Sequence, residues 1–487
     1  MSNLETAQEP QTLRRVAIEP VTRVEGHGKV TILLDEDNHV HQVRLHIVEF
    51  RGFEAFIEGR PYTEVPVTVQ RLCGICPVSH HIAAAKAMDV VAGYGPLTPT
   101  ADKLRRLLHC GQFVQSHALH FFLLASPDLL LGFESEVAKR NIVGVAAAFP
   151  DLAKQGILTR KYGQEVIRHI VGKRIHGTGC IPGGMNKALT TAERDLLRGE
   201  IDRIVAWSRE AIGLARRLHE TQPEFYGRFG ESRANMMGLV DADGGLDFYH
   251  GGLRAKDADG KTIFDHVDTS TYRKLLGEQI KSWSYMKFPY IRSLGAENGW
   301  YRVGPLARVQ IADFMPSPQA EEERKTFRAA SGGKPVHGAL LTHWARLIEM
   351  LCAAELLRDL LDDPDIVGTD LMADKGPPRE EGIGVIEAPR GTLIHHYRVN
   401  RDSLVSFCNL IVSTTNNNQA MNEAIRVVAT QFLDGRELTE GLLNHIEVAL
   451  RAYDPCLSCA THALGEMPLE VELVDADGAL VSRARKG

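Results

Sequence analysis

The chain carries the stretch Arg71-Leu72-Cys73-Gly74-Ile75-Cys76-Pro77 near its beginning and the stretch Asp454-Pro455-Cys456-Leu457-Ser458-Cys459 near its end. Each stretch holds a Cys-x-x-Cys pair, and Cys76 and Cys456 are 380 positions apart. Four thiolates around one point hold zinc, an iron–sulfur cluster or a soft transition metal. If the four sulfur atoms meet, the fold must bring both ends of the chain together.

The spacing of the cysteines leaves three kinds of site open. Two Cys-x-x-Cys pairs are a common signature of structural zinc, and an iron–sulfur site of the rubredoxin kind uses the same four ligands. A thioredoxin-like dithiol would need only one of the pairs. Structural zinc usually joins pairs that lie tens of residues apart in a small domain without a core. This chain is 44% hydrophobic and can form a large core, so it does not need zinc to hold it together. The wide separation of the two pairs therefore favours a site built by the whole fold, which is more often catalytic than structural.

The composition indicates a soluble cytoplasmic protein. Its 487 residues suffice for roughly two to four domains. A net charge of −6 without a long basic run argues against nucleic-acid binding. Residues 1–15 lack the apolar segment of a secretory signal, and no run of about 18 apolar residues predicts a membrane span. Eight cysteines in so long a chain do not suggest a disulfide framework.

Hydrophobic periodicity predicts a mainly α protein with β decoration (α+β). An N-terminal β meander is predicted at residues 16–18, 29–34 and 39–48, with a turn at 35–38. Pro77 suits the first turn of a helix that begins after the first cysteine pair. Further long helices are predicted at about 99–125, 191–220, 338–362, 418–433 and 437–452, and a small β excursion at about 240–265.

Seven short motifs, spread along the chain in order, resemble those of the large subunit of nickel–iron hydrogenases. They lie at residues 19–27, 50–54, 71–80, 182–184, 387–391, 413–416 and 454–462. The second cysteine motif reads Asp454-Pro455-Cys456-x-x-Cys459-x-x-His462. Residues 283–290, 395–397 and 457–465 are most similar to the cytoplasmic NAD-reducing branch. The resemblance implies that family's large helical fold, with residues 1–462 as a single catalytic domain.

The resemblance implies a nickel–iron centre at the four cysteines. Cys73 and Cys456 would be terminal nickel ligands, and Cys76 and Cys459 would bridge nickel to iron. The iron of this family carries carbon monoxide and cyanide, which no side chain supplies. A maturation pathway with nickel-insertion factors must therefore provide them.

Two further residues would take part in catalysis. Glu25 would be a buried carboxylate that accepts the proton released beside Cys456, although a glutamate in such a turn is also an ordinary surface residue. Arg390 would project over the open metal position with its guanidinium fixed by Asp454.

Other residues would surround the metals. Pro389 and Ser413 would line the pocket of the diatomic ligands, where Ser413 could donate a hydrogen bond to cyanide. His80 lies about one helical turn after Cys76 and could bond its sulfur, although a lone histidine is more often structural.

The C-terminal region would hold a second cation and a removable extension. Glu54 and His462, with a backbone carbonyl within residues 407–410, would bind magnesium or a second iron. In the family a maturation endopeptidase removes the segment beyond the position of His462, so residues 463–487 would be a C-terminal extension. The alternative is a hairpin of residues 469–474 and 479–481 around a turn at 476–478.

The sequence offers no motif of its own for carrying electrons or binding NAD, which predicts partner subunits. Cys110, Cys180, Cys352 and Cys408 stand singly, so no iron–sulfur motif is left. The glycine-rich residues 177–183 lack a preceding strand and have a proline where a helix should begin, so we reject them as a dinucleotide loop. We therefore expect a small iron–sulfur hydrogenase subunit and a flavin and iron–sulfur diaphorase module that holds FMN, the clusters and NAD.

Three functions are consistent with this sequence. The first is the catalytic subunit of a soluble, bidirectional, NAD-linked hydrogenase that cleaves H2 into protons and electrons. The second is an NADP-linked or sulfur-reducing relative. The third is a hydrogen sensor or a respiratory-complex-like subunit with the same fold. The respiratory-complex-like subunits lack the four cysteines that are present here, whereas a hydrogen sensor would keep them.

Overall fold

The computed structural model describes residues 6–49 and 52–461 and the two strands Leu469–Val474 and Leu480–Lys486. His462 and residues 463–468, 475–479 and 487 of the C-terminal extension lie outside the described residues. Within the described part of the chain, no helix is long and apolar enough to cross a bilayer.

The chain begins with an antiparallel meander, as predicted. The strands Arg14–Ile18, Gly28–Leu34 and Val40–Ile47 pair in sequence order. Between the second and third strands, the Asp35 carboxylate accepts the backbone N–H groups of Asp37 and His39, which closes the turn. The loop between the first and second strands carries Glu25.

Long helices form the body of the molecule. Pro77–Ala92 and Leu341–Asp362 are buried on almost every side and form its centre. Proline in the first turn and threonine caps set several of the helix starts. The other long helices are Pro99–Leu119, which continues as a π-helix over His120–Ala125, Pro150–Val171, Thr191–Thr221, Pro318–Ala330, Asn418–Phe432 and Glu440–Tyr453. Shorter helices are Phe53–Ile57, Val65–Thr68, Ser126–Leu131, Ile142–Ala148, Pro223–Arg228, Tyr272–Leu275, Gly295–Asn298, Pro305–Ile311, Ser413–Asn416 and Leu457–Ala460.

The five long helices predicted from sequence are confirmed, but two others were missed. Pro150–Val171 contains Gly156 and Gly163, which weaken its helical signal. The structure shows why glycine stands there: a Cβ on Gly163 would lie 2.6 Å from the backbone oxygen of Gly111. The small residues therefore let this helix pack closely on Pro99–Leu119. The second missed helix is the largely polar Pro318–Ala330.

The predicted β excursion is a sheet of Asn235–Val240, Gly252–Lys256 and Thr262–Val267, joined by the short strand Tyr301–Arg302. Small hairpins pair Cys180–Ile181 with Gly184–Met185 and Leu276–Gln279 with Phe288–Ile291. The first of these hairpins overlaps the glycine-rich residues 177–183, which we rejected as a dinucleotide-binding loop.

A third sheet, which the sequence pattern did not predict, carries Arg390. We call its strands Glu381–Ala388, Gly391–Val399 and Val405–Ile411 the arginine sheet. Ala388 pairs with Gly391, so Pro389 and Arg390 form a two-residue turn. Gly391 has φ +135°, and a Cβ there would lie 2.1 Å from Val303 Cγ2. The tight turn places Arg390 at the tip of a rigid hairpin.

The C-terminal extension contains a hairpin in which Leu469–Val474 pairs antiparallel with Leu480–Lys486. The first strand agrees with the alternative hairpin predicted for this segment, and the turn predicted at 476–478 lies outside the described residues. The main hydrophobic core runs from Val21 to Ala460 and includes all four cysteines of the two pairs.

Candidate metal centre

The first cysteine pair lies at the beginning of the helix Pro77–Ala92. Cys76 is the residue before that helix, and Pro77 occupies its first turn. The sulfur of Cys73 accepts the backbone N–H groups of Ile75 at 3.2 Å and Cys76 at 3.1 Å. Amide donors and the positive end of the helix stabilise a thiolate, which is the metal-binding form of cysteine.

The second cysteine pair comes after the helix Glu440–Tyr453. Asp454 ends that helix in the left-handed region, with φ 55°, and turns the chain towards the first pair. The backbone N–H of Cys456 donates to Thr414 Oγ1 at 3.0 Å. Cys459 lies in the short helix Leu457–Ala460.

The fold brings all four sulfur atoms within 4.8 Å of one another. Cys456 Sγ lies 3.2 Å from Cys73 Sγ and 2.8 Å from Cys459 Sγ, and Cys76 Sγ lies 3.7 Å from Cys459 Sγ. All four side chains are buried, with at most 6% exposure. Both ends of the chain therefore meet at one sulfur-rich point.

The pKa values of the cysteine thiols in the cluster are shifted in opposite directions. Hydrogen bonds from Cys456, Cys459 and Cys73, with a further one from His80, hold the pKa of Cys76 well below its ordinary value. Burial raises the pKa of Cys456 and of Cys459 well above the ordinary value. Four thiolates at this distance repel one another, so full ionisation requires a bound cation.

Glu25 joins the N-terminal loop to the second cysteine pair. Its Oε2 accepts the Cys456 thiol at 3.0 Å and the Ser458 N–H at 3.1 Å, and its backbone oxygen accepts the Leu457 N–H at 2.9 Å. Gly26 permits this approach, because it has φ +84° and a Cβ there would lie 2.5 Å from Ser458 N. The Glu25 side chain is half-buried rather than buried as expected, since one side of the loop faces solvent.

Arg390 lies beside the cluster and is held by Asp454. Its Nε donates to the Asp454 backbone oxygen at 2.7 Å, and a terminal nitrogen donates to Asp454 Oδ1 at 3.0 Å. Its other terminal nitrogen donates to Ser116 Oγ at 3.3 Å. Burial opposes the charge, but Asp454 and the cysteine sulfurs outweigh it and raise the pKa of Arg390 well above its ordinary value. Arg390 is therefore a fixed cation that does not exchange protons.

A small enclosed cavity borders the cluster. Its polar lining includes Ser79, Arg390 and Ser413, and the Ser413 hydroxyl donates to Gly391 O at 2.7 Å. The apolar part of the wall is formed by Ala388, Pro389, Leu393 and Val412. The cavity thus has one largely apolar wall and separate polar groups.

His80 also lines this cavity and begins a row of buried rings. Its Nδ1 is 3.1 Å from His395 Nε2, and His395 Nδ1 is 2.7 Å from the Tyr397 hydroxyl. Burial lowers the pKa of His395 well below its ordinary value, so that ring is neutral. The row fixes the orientation of His80 next to Cys76.

Glu54 is not part of the cluster and lies beside the last strand of the arginine sheet. It is 4% exposed, and its Oε1 accepts the backbone N–H of Leu410 at 2.8 Å. Lys287 Nζ is 3.8 Å from the same oxygen and 3.2 Å from Glu278 Oε1. The expected neighbourhood of Glu54 and residues 407–410 is present, while its predicted partner His462 lies outside the described residues.

Three residues that were not predicted from sequence support the site. The Thr414 hydroxyl accepts a hydrogen bond from the Cys456 backbone N–H, and the Ser116 hydroxyl accepts one from the Arg390 guanidinium. Arg308 donates to the backbone oxygens of Ala388 at 2.7 Å and Pro389 at 3.1 Å, and so holds the Arg390 turn. Of these, only Thr414 lies within a motif, and the other two have no local signal in the sequence.

Comparison with known proteins identifies the family. A HoxL-like family profile matches residues 15–50, and the nickel-dependent hydrogenase profile matches residues 51–135 and 246–462. The chain is 47% identical to the NAD-reducing hydrogenase HoxS subunit beta of Cupriavidus necator, over 97% of this chain and 100% of that one.

Solved structures show the same relationship. A NAD+-reducing NiFe-hydrogenase in the H2-reduced state is 56% identical, with a TM-score of 0.91 over 92% of this chain and 99% of that chain. The NiFeSe-hydrogenase of Dm. baculatum is 21% identical and shares the fold, with a TM-score of 0.74 over 92% of this chain and 100% of that chain. The chain therefore belongs to the nickel-dependent hydrogenase family.

Proposed function

We propose that this chain is the catalytic subunit of a soluble, NAD-linked nickel–iron hydrogenase. The observation that carries the proposal is the buried cluster of four sulfurs within 4.8 Å, with a carboxylate and a guanidinium beside it. Its 47% identity to a subunit of a NAD-reducing hydrogenase supports NAD+ as the final electron acceptor.

The residues present fit a nickel–iron group. Four soft sulfur donors suit nickel and a neighbouring iron. Cys73 and Cys456 would hold nickel alone, and Cys76 and Cys459 would hold both metals. The adjoining cavity suits the carbon monoxide and cyanide ligands of the iron. When bound, this group supplies the cleavage of H2 and takes up its electrons.

The chain's own residues handle the proton and the charge. The Cys456 thiol already donates to Glu25 Oε2, so Glu25 is placed to take a proton from that sulfur. Because Glu25 is half-buried, it can pass the proton on towards solvent. Arg390, held by Asp454, keeps a permanent positive charge beside the cluster. Pro389 and Ser413 line the ligand cavity, and His80 supports Cys76.

A second cation and a maturation step complete the proposal. We assign magnesium or a second iron to Glu54 and His462, and Lys287 near Glu54 would adjust when the ion enters. The family match ends at residue 462, which supports removal of residues 463–487 by a maturation endopeptidase. The main hydrophobic core, which runs from Val21 to Ala460, supports residues 1–462 as one catalytic domain. An intact-mass measurement of active enzyme should find His462 as the last residue.

Partners are needed to carry the electrons away. The four cysteines outside the cluster are buried, and burial raises the pKa of each of them. Single buried thiols do not form an iron–sulfur cluster that could carry electrons out of the chain. Electrons would therefore pass to a small iron–sulfur subunit and then to a flavin and iron–sulfur diaphorase module that reduces NAD+. Both the reaction with NAD+ and the resemblance to the NAD-reducing branch support a cytoplasmic location for the complex.

The experiment is metal analysis, infrared spectroscopy and turnover of the purified complex and of the isolated chain. The complex should contain nickel and iron, show bands of metal-bound carbon monoxide and cyanide, and reduce NAD+ with H2. The isolated chain should not reduce NAD+. Stoichiometric zinc without nickel in active protein would falsify the metal assignment, and a metal-loaded complex without turnover would indicate a sensor.

A further inference from the structure

The Ser79 hydroxyl is buried next to the cysteine cluster and has no partner among the described residues. Ser79 lies in the helix Pro77–Ala92 with no solvent exposure, and its Oγ makes no hydrogen bond in the described part of the chain. A buried hydroxyl without a partner is unfavourable, so native structures nearly always provide one. The position therefore requires an explanation.

A buried serine in a helix normally bonds to the carbonyl four residues earlier. Ser208 donates in this way to Ile204 O at 2.8 Å, and Ser126 donates to Phe122 O at 2.6 Å. The corresponding carbonyl for Ser79 belongs to Ile75. That oxygen already accepts the side-chain amides of Gln112 at 3.0 Å and Gln115 at 2.7 Å. The fold thus occupies the local acceptor and leaves the Ser79 hydroxyl available.

Ser79 is one of the residues that line the cavity beside Cys76 and Cys456. The neighbouring polar groups of that wall are already engaged: Arg390 donates to Asp454, and Ser413 donates to Gly391 O. Thr414 accepts the Cys456 amide. Among the described residues that line the cavity, Ser79 is the one whose side-chain oxygen has no hydrogen-bond partner, so a group inside the cavity could supply it.

We propose that Ser79 donates a hydrogen bond to a cyanide ligand of the iron. Cyanide bound to a metal carries negative charge on nitrogen and accepts hydrogen bonds, whereas bound carbon monoxide is a poor acceptor and suits the apolar wall. Ser79 would thereby help to fix which diatomic ligand occupies which side of the cavity. The inference rests on the proposed function, because it requires the nickel–iron group.

The test is infrared spectroscopy of the holoenzyme carrying Ser79→Ala, with Ser208→Ala as the matched control. Both changes remove one buried helical hydroxyl, but Ser208 lies in the helix Thr191–Thr221 and outside the cavity. Ser79→Ala should shift at least one cyanide stretching band, and Ser208→Ala should leave every band in place. Unchanged bands in Ser79→Ala would overturn the inference.

A second pair of variants keeps the test decisive if Ser79→Ala fails to load its metals. Ser79→Thr and Ser79→Val have nearly the same shape and differ in the hydroxyl. The threonine variant should reproduce the wild-type cyanide bands and the valine variant should shift them. Equal band positions in this pair would reject the hydrogen bond. Absence of carbon monoxide and cyanide bands from wild-type enzyme would instead reject the proposed function itself.

Discussion

The turn at residues 73–76 has hydrogen bonds between its own residues, whereas the turn at residues 456–459 takes its amide acceptors from residues distant in the chain. In the first, the Cys73 sulfur accepts the amides of the two residues that complete the turn, and a long buried helix begins directly after it. In the second, Glu25 accepts the amides of Leu457 and Ser458, and Thr414 accepts that of Cys456. One half of the metal centre is therefore partly local, although Gln112 and Gln115 also bind its Ile75 carbonyl. The amides of the other half depend on Glu25 and Thr414 from distant parts of the chain.

The largest effect should come from removing a sulfur that nickel and iron would share. Cys76→Ser or Cys459→Ser should abolish H2 oxidation and metal retention, beyond the ~10–100-fold loss typical of changes in residues that only support a ligand. Nickel analysis and H2-dependent NAD+ reduction measure this. Cys180→Ser is the matched control, because Cys180 is also buried but lies outside the cluster. Full nickel content in either cluster variant would contradict the shared role.

Glu25→Gln separates the structural part of Glu25 from its acidity. The amide oxygen can still accept the Ser458 N–H, so the second turn and its metals should remain. Since an amide takes up no proton, hydrogen–deuterium exchange and turnover should fall by ~10²–10⁴-fold. The exposed Glu19→Gln on the same segment serves as the control. Normal exchange in Glu25→Gln would end the proton-acceptor assignment.

Gly26→Ala tests whether the second turn depends on the N-terminal loop. The positive φ alone costs about 1–2 kcal/mol, and the clash with Ser458 adds to it, giving a loss above ~3 kcal/mol. Gly172→Ala has the matching φ of +81° with open space around it, so it should lose only the backbone part. Urea unfolding and nickel content compare the two. Equal losses would show that the loop contact is unimportant.

Gly74→Ala should have the smallest effect, although Gly74 stands inside the first cysteine motif. A Cβ there meets nothing within 4 Å, and φ is not in the left-handed region. The free energy of unfolding of the chain should therefore change by less than ~0.5 kcal/mol. The same urea titration measures it, and a loss as large as that of Gly26→Ala would remove the contrast between the turns.

The same contrast explains how much could be predicted from sequence. The helix after Pro77 arises from local chemistry, and the residue pattern predicted it. The contact between Glu25 and Cys456 joins positions 431 apart, and only the resemblance to a family pointed to it. Periodicity cannot reveal such contacts, because they depend on how separate elements dock.

The arginine sheet shows a second limit. Its strands bury Glu387 and His395, which are polar residues of a kind typical of loops. They are buried because distant partners satisfy them: Arg308 pairs with Glu387, and His80 pairs with His395. A strand whose polar residues are satisfied by other elements carries no local signal, so the hairpin that presents Arg390 was not predicted.

The bond from Leu457 N–H to the Glu25 carbonyl has a consequence for biosynthesis. The ribosome synthesises the N-terminal loop long before the second cysteine pair. Until that pair is made, the Glu25 carbonyl lacks the Leu457 N–H as its partner. During that interval the first pair can hold an incoming ion with only two sulfurs. The second pair, near the end of the chain, then completes the site, so the metal can be enclosed only after residues 456–459 have been made.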